Sequence, residues 1–149
     1  MSAQTVMDPI RFAREAASLA GEFSLAEVDR LRDELAGEEG AVTWRLEGVL
    51  VGGRPALRLL VDANPTLICQ RCLAPYVHAL HFEGVILLAR NDAELERWEN
   101  DDPLIDVILA EPRMDVRTLI EDELLLSLPV VPRHEIGECQ QTMIAQGAN

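Results

Sequence analysis

The chain has 149 residues, 48% of them hydrophobic, which is enough for one domain with its own core and argues against several large domains. Its 26 acidic residues against 13 basic ones give a formal net charge of -13. A surface this negative repels phosphate backbones at long range, so unassisted binding of nucleic acid is disfavoured and a basic protein partner is favoured.

The N-terminus has no basic segment followed by an apolar one, and apolar runs such as residues 85–89 are too short to cross a bilayer. We therefore expect a soluble, cytoplasmic protein that does not bind membranes. The chain has 3 cysteines, and an odd count without a secretory signal argues against a disulfide framework. The thiols are expected to be reduced, metal-bound or buried.

Two short helices are predicted within residues 8–37. The first begins at the N-cap Asp8 and continues at helical spacing to Gly21. The second begins at Ser24, whose capping box is completed by Glu27, and stops at the end of the segment.

Residues 41–110 are predicted to form an antiparallel sheet with a cysteine hairpin. A period of two begins at Val42, Gly48 suggests a bulge, and Gly52 with Gly53 marks a hairpin turn. Further along, Cys69-Gln70-Arg71-Cys72 separates two strand-like runs and is predicted to form the tip of a second hairpin.

An acidic segment, residues 91–102, interrupts the strand pattern. It carries six carboxylates and only Arg97 to oppose them, which predicts a solvated acidic loop. Trp98 inside it has two interpretations: an exposed anchor for a partner, or a side chain that packs back onto the sheet.

The last helix is predicted over residues 115–128, followed by an extended polar tail over 129–149 because its prolines fix φ and lack an amide donor. Glu121, Asp122 and Glu123 are consecutive and cannot share one helix face, which makes a single metal or acid/base site improbable. Glu123 falls near the apolar stripe, so we expect it to find a partner within the fold.

These segments predict an α+β fold in a single domain over residues 1–149. An antiparallel β-sheet of about five strands is packed by the C-terminal helix, with two short N-terminal helices beside it.

The cysteines and one histidine indicate a zinc site. Cys69 and Cys72 have the spacing of the first ligand pair of a tetrahedral site, and His134 with Cys139 would supply the second pair. The other two histidines compete, but they point to opposite faces of a predicted strand. Two alternatives remain: the cysteines are small buried hydrophobes, or they form a redox pair, which normally needs a helix after the motif.

Several segments together resemble the bacterial YceD family, the large ribosomal RNA subunit accumulation proteins. The segments are Met7-Asp8-Pro9-Ile10-Arg11, the Cys-Gln-Arg-Cys motif, and the helix with Glu121-Asp122-Glu123 that runs into Pro129-Val130-Val131-Pro132. The resemblance implies a cytoplasmic role in accumulating large-subunit ribosomal RNA, a link to a small zinc-bearing ribosomal protein, and no catalytic residue. Some branches of the family have further cysteines after the position of His134, where this chain offers only Cys139.

Charge and resemblance together predict a non-enzymatic ribosome biogenesis factor without a small-molecule substrate. It would support synthesis or accumulation of 23S rRNA by binding a basic ribosomal protein or a precursor of the large subunit, so that its contact with the rRNA is indirect. The candidate partner-binding residues are Arg71, Trp98, Glu121, Asp122, Glu123 and Arg133. The alternatives are direct binding of structured RNA by Arg71, Arg113 and Arg133, and a thiol redox or zinc-handling protein.

Overall fold

The computed structural model describes residues 6–129 and Pro132. The fold is α+β, and the described residues form three α-helices, two short 3-10 helices and nine strands. In chain order these are β1 (Val6–Met7), α1 (Pro9–Arg14), β2 (Ser18–Ser24), the 3-10 helices (Leu25–Glu27 and Asp29–Glu34), β3 (Ala41–Val51), β4 (Arg54–Ala63), β5 (Thr66–Ile68), β6 (Pro75–Val77), β7 (Leu80–Ala89), α2 (Asp92–Asp101), β8 (Asp106–Leu109), β9 (Met114–Asp115) and α3 (Val116–Ser127).

The main sheet has five strands in the order β2-β3-β4-β7-β8. The first four are antiparallel to their neighbours, but β8 runs parallel to β7. The sheet is therefore mixed, and the prediction of an all-antiparallel sheet was wrong at this edge. The reason is the connection: α2 lies between β7 and β8, and a helical crossover returns the chain in the same direction.

The segment predicted as an acidic loop is this crossover helix. Asn91 caps it by accepting a hydrogen bond from the backbone N–H of Glu94, and Leu95 and Trp98 lie on the side that meets the sheet. The many charges of the segment favoured the interpretation as a loop. Two apolar residues three positions apart are nevertheless enough to attach a short helix to a sheet. Trp98 is 7% exposed and packs with Ala56, Leu87 and Ala89.

The first N-terminal helix is shorter than predicted. α1 ends at Arg14, Ala16 takes a positive φ of 51°, and the chain then forms β2 at the edge of the sheet. The prediction of a helix continuing to Gly21 was wrong because pairing of this segment with β3 outweighs its helical spacing.

The second N-terminal helix is present as the two 3-10 helices. The capping box between Ser24 and Glu27 is confirmed, with the Ser24 N–H donating to the Glu27 carboxylate at 3.1 Å. Leu25, Val28 and Leu31 are each 1% exposed, so this segment closes the core.

The two faces of the sheet bury separate apolar clusters. One face is covered by α1, α3 and the 3-10 helices, and the fully buried members of its cluster include Leu46, Leu59 and Ile120. The other face is covered by α2 around Trp98. Among the helices of residues 6–129, none is long and apolar enough to cross a bilayer.

Gly48 shows why one glycine is needed inside β3. The prediction of a bulge was wrong, since Gly48 pairs with Leu57 in an uninterrupted register. A Cβ at Gly48 would instead lie 2.3 Å from the carbonyl oxygen of Phe12 and 2.7 Å from the Cα of Ala13. The absent side chain allows α1 to lie directly on the sheet.

We predict that Gly48→Ala lowers the free energy of unfolding by about 1 to 3 kcal/mol, because backbone atoms of α1 must move to admit the methyl group. Urea denaturation measures the change. Gly37→Ala is the matched control, since a Cβ there meets the flexible Glu39 carboxylate first. Equal destabilisation by the two substitutions would contradict the explanation.

Candidate functional site

The cysteine motif lies at the tip of a hairpin, as predicted. β5 and β6 pair antiparallel, with Ile68 opposite Pro75. The turn is closed by the Cys69 N–H, which donates to the Ala74 carbonyl at 3.0 Å, and by the Leu73 N–H, which donates to the Cys69 carbonyl at 2.7 Å. Cys69 is fully buried and Cys72 is partly buried.

A strand, not a helix, follows the cysteine motif. β6 begins at Pro75, directly after the turn. The positive end of a helix dipole, which often lowers the pKa of a reactive thiol, is therefore not supplied by the segment after Cys72. This geometry weakens the redox interpretation.

The chain after α3 returns to this turn. The Gln70 N–H donates to the carbonyl of Pro132 at 2.8 Å. Pro132 precedes His134 by two positions in the sequence, but Arg133, His134 and Cys139 lie outside the described residues, as does most of the predicted tail. Within the part that is described, no group of three or more potential metal ligands comes together.

Two carboxylates of the Glu-Asp-Glu triplet are engaged in ion pairs on the surface of α3. The Arg117 guanidinium lies over the Phe23 ring at 4.0 Å and donates to Glu121 at 2.9 Å. Arg30, from the second 3-10 helix, pairs with Asp122 at 2.7 Å. Glu121 and Asp122 therefore hold the N-terminal segment against α3.

Glu123 has a different environment. Its side chain is partly buried, and no hydrogen bond or ion pair joins its carboxylate to another residue in the described ranges. The partner that we expected within the fold is therefore not found there. Burial raises its pKa above the ordinary carboxylate value, and the charges of Asp106 and Asp122 raise it further. Glu123 is a carboxylate that would be stabilised by an added cation.

A groove opens between β8 and α3, along the part of α3 that carries Thr118, Leu119 and Asp122. Its volume is about 340 Å³, and we call it the β8–α3 groove. Its lining is Ile108, Leu109, Glu111, Arg113, Met114, Asp115, Thr118, Leu119 and Asp122. The sequence did not indicate it, because the groove exists only once β8 is placed at the sheet edge next to α3.

The remaining candidate residues are separated from one another. Arg71 is exposed in the cysteine turn, whereas Trp98, a residue of α2, is buried between that helix and the sheet. The interpretation of Trp98 as an exposed anchor was wrong, because its ring fills the space between α2 and the sheet, with the Arg54 guanidinium 5.3 Å from the ring centre.

Comparisons with known proteins agree with the resemblance seen in the sequence. A family model described as large ribosomal RNA subunit accumulation protein YceD matches residues 57–149, more than half of the chain. A curated relative of the same description, from Haemophilus influenzae, is 25% identical over 153 residues, which cover 90% of this chain and 77% of the relative. No solved structure gives a significant match.

We predict that Glu123→Gln stabilises the protein at pH 7, by less than about 1 kcal/mol because the carboxylate is only partly buried. The folded-state pKa of Glu123 lies above the unfolded value, so between the two values the folded chain binds more protons. The contribution of Glu123 to the free energy of unfolding is therefore fully present at low pH, and it is lost as the pH rises through the folded-state pKa.

Thermal unfolding of both proteins from pH 3 to pH 8 measures this effect. The two curves should coincide below 4.5, the ordinary pKa of a glutamate carboxyl, and separate above it, with the variant more stable. A variant that is less stable at neutral pH would mean that the carboxylate already has a favourable partner.

Proposed function

The chain belongs to the YceD family of large ribosomal RNA subunit accumulation proteins, and on that premise we propose that it is a non-enzymatic assembly factor. Its role in accumulating 23S rRNA would be exerted by binding a basic ribosomal protein, either alone or within a precursor of the large subunit. The observation that carries the partner class is the net charge of -13.

Electrostatics favour a protein partner over bare RNA. Ribosomal RNA is a dense array of phosphates, and an anionic protein pays a repulsive cost when it approaches one. A basic protein, in contrast, is attracted at long range, and its association rate rises at low salt. If the protein promotes accumulation of the RNA by binding a basic protein, the family role is compatible with its negative charge.

The crossover helix α2 presents a surface suited to such a partner. Glu94 is buried and neutralised by Arg90 and Arg97, whose guanidinium groups lie 3.1 and 3.8 Å from its carboxylate. The other acidic side chains of the segment are exposed and form no ion pair within the described ranges. They are Asp92, Glu96, Glu99, Asp101 and Asp102.

We predict that the tagged protein co-sediments with large-subunit precursors from lysate at about 50 mM salt and is released at about 300 mM, because screening shortens the range of surface charge. Neutralising Asp92, Glu96, Glu99 and Asp101 to their amides should reduce the bound fraction several-fold. Gradient sedimentation with immunoblotting measures it.

Neutralisation of four exposed carboxylates elsewhere gives the matched control: Glu22, Asp33, Glu34 and Glu38. If both variants lose binding equally, net charge acts without a localised surface on α2. Capture of a partner set without ribosomal proteins, or binding that is indifferent to salt, would refute the proposed function. Gel shifts with protein-free 23S fragments test the RNA-binding alternative, which predicts a shift at the same salt.

We further propose a structural zinc ion held by Cys69, Cys72, His134 and Cys139. The supporting observation is the hydrogen bond from Gln70 to Pro132, which brings the chain two residues before His134 against the cysteine turn. A zinc ion bound there would tie the C-terminal segment to the hairpin and release protons from the thiols.

We predict that the protein purified without added zinc contains about one zinc per chain, and that His134→Ala loses it. Elemental analysis measures the metal directly. His78→Ala is the control, because His78 lies outside the proposed ligand set and its ring faces Tyr76. Zinc-free protein that nevertheless has both tip thiols protected from a thiol reagent would instead support burial alone.

A further inference from the structure

The outer edge of β8 carries backbone groups that face away from the sheet. In a parallel pair, alternate residues direct both their N–H and C=O toward the neighbour. The Ala110 N–H donates to the Ala89 carbonyl, so residues 106, 108 and 110 face β7. The N–H and C=O of Val107 and Leu109 therefore face outward, and no described residue bonds to them.

The two sides of this edge differ. Ile108 packs with the cluster beneath α3, whereas Val107 packs with the cluster beneath α2. Because side chains alternate along a strand, Asp106 lies on the α3 side with Ile108. A strand added to β8 would place every second side chain in the β8–α3 groove.

The groove selects the chemistry of those side chains. Its floor is apolar, from Ile108, Met114 and Leu119. Its rim carries an excess of carboxylates over the single guanidinium of Arg113. The carboxylates of its lining are Glu111, Asp115 and Asp122. Asp106 on β8 and Glu123 on α3 are close enough for the charge of Asp106 to raise the pKa of Glu123.

We propose that the β8–α3 groove binds an extended segment of a basic partner protein, which adds as a strand to the edge of β8. Arginine or lysine at alternate positions of that segment would pair with Asp106, Glu111 and Glu123. This inference rests on the proposed function. It adds a second contact surface to the acidic side of α2 and specifies the conformation of the segment that binds there.

Charge argues against two occupants from this protein itself, its C-terminal segment and a second copy. Residues 133–149 carry Arg133 and His134 against Glu135 and Glu138, so the chain's own C-terminal segment does not complement the groove. A second copy with a net charge of -13 is repelled. Pairing with a foreign basic strand satisfies both the outward backbone groups and the carboxylates.

The first test uses the full chain labelled with ¹⁵N and an eight-residue peptide of alternating arginine and valine. We expect the amide signals of Val107 and Leu109 to shift on titration. A peptide with the same side chains but N-methylated at alternate amides keeps the charge and loses the ability to pair as a strand. It should bind at least roughly tenfold more weakly.

Equal affinity of the two peptides would overturn the proposal, since charge alone would then explain binding. Signal shifts confined to α2 or to the cysteine turn would also overturn it. An alternating glutamate and valine peptide should cause no shift.

Two pairs of variants test the site from the protein side. Leu109→Pro removes one outward N–H and leaves the bonds to β7, whereas Leu109→Ala keeps that N–H. Only the proline variant should lose affinity, by roughly tenfold. Glu123→Gln should weaken binding several-fold, whereas Glu34→Gln, a remote exposed carboxylate, should leave it unchanged. Unchanged affinity in Leu109→Pro would contradict strand addition.

Sedimentation separates this inference from the proposed function. If Leu109→Pro and Glu123→Gln co-sediment with precursors as the parent does, the groove is not the docking surface, although the assembly role stands. If the parent itself fails to co-sediment, the proposed function fails. If both variants lose co-sedimentation while the parent retains it, the result supports the groove as a docking surface.

Discussion

The packing of Trp98 against the sheet is the contact on which the β8 edge of the sheet depends. Its ring fills the space above Ala56, Leu87 and Ala89, and it holds α2 across one face of the sheet. With α2 fixed there, the chain can only return as β8, parallel to β7. Loss of this contact would release the helix and the strand that follows it.

The same crossover divides the acidic residues into structural and exposed groups. Glu94 is buried and uses its charge to bind Arg90 at the start of α2, and this pairing lowers the pKa of Glu94. Its neighbours along the helix remain in solvent. On α3, Glu121 and Asp122 hold the N-terminal 3-10 helix through Arg117 and Arg30, whereas Glu123 does not form such a pair in the described ranges. Carboxylates that are adjacent in sequence therefore have different roles.

The proposed docking surface combines three kinds of interaction. The outward backbone groups of β8 provide directional hydrogen bonds, the groove provides apolar area, and the surrounding carboxylates provide attraction and selectivity for basic segments. Each of these is weak alone, but an extended basic segment would use all three at once.

The sequence by itself determined the local elements whose signals lie within a few residues. The capping box at Ser24, the two-glycine turn at Gly52 and Gly53, the cysteine hairpin and the bounds of α3 all follow from short-range hydrogen bonding and periodicity. The family could also be recognised from the sequence, because its motifs are short and distinctive. These features do not depend on which strand lies next to which.

Only the tertiary structure decided the rest. Pairing with β3 turned residues 18–24 into a strand, close approach of α1 explained Gly48, and the sheet surface turned a charged segment into α2. The β8–α3 groove belongs to the same class, because it is formed by residues brought together from two elements. The physical reason is that burial and strand pairing between distant segments outweigh local propensity, and neither can be read from a window of neighbouring residues.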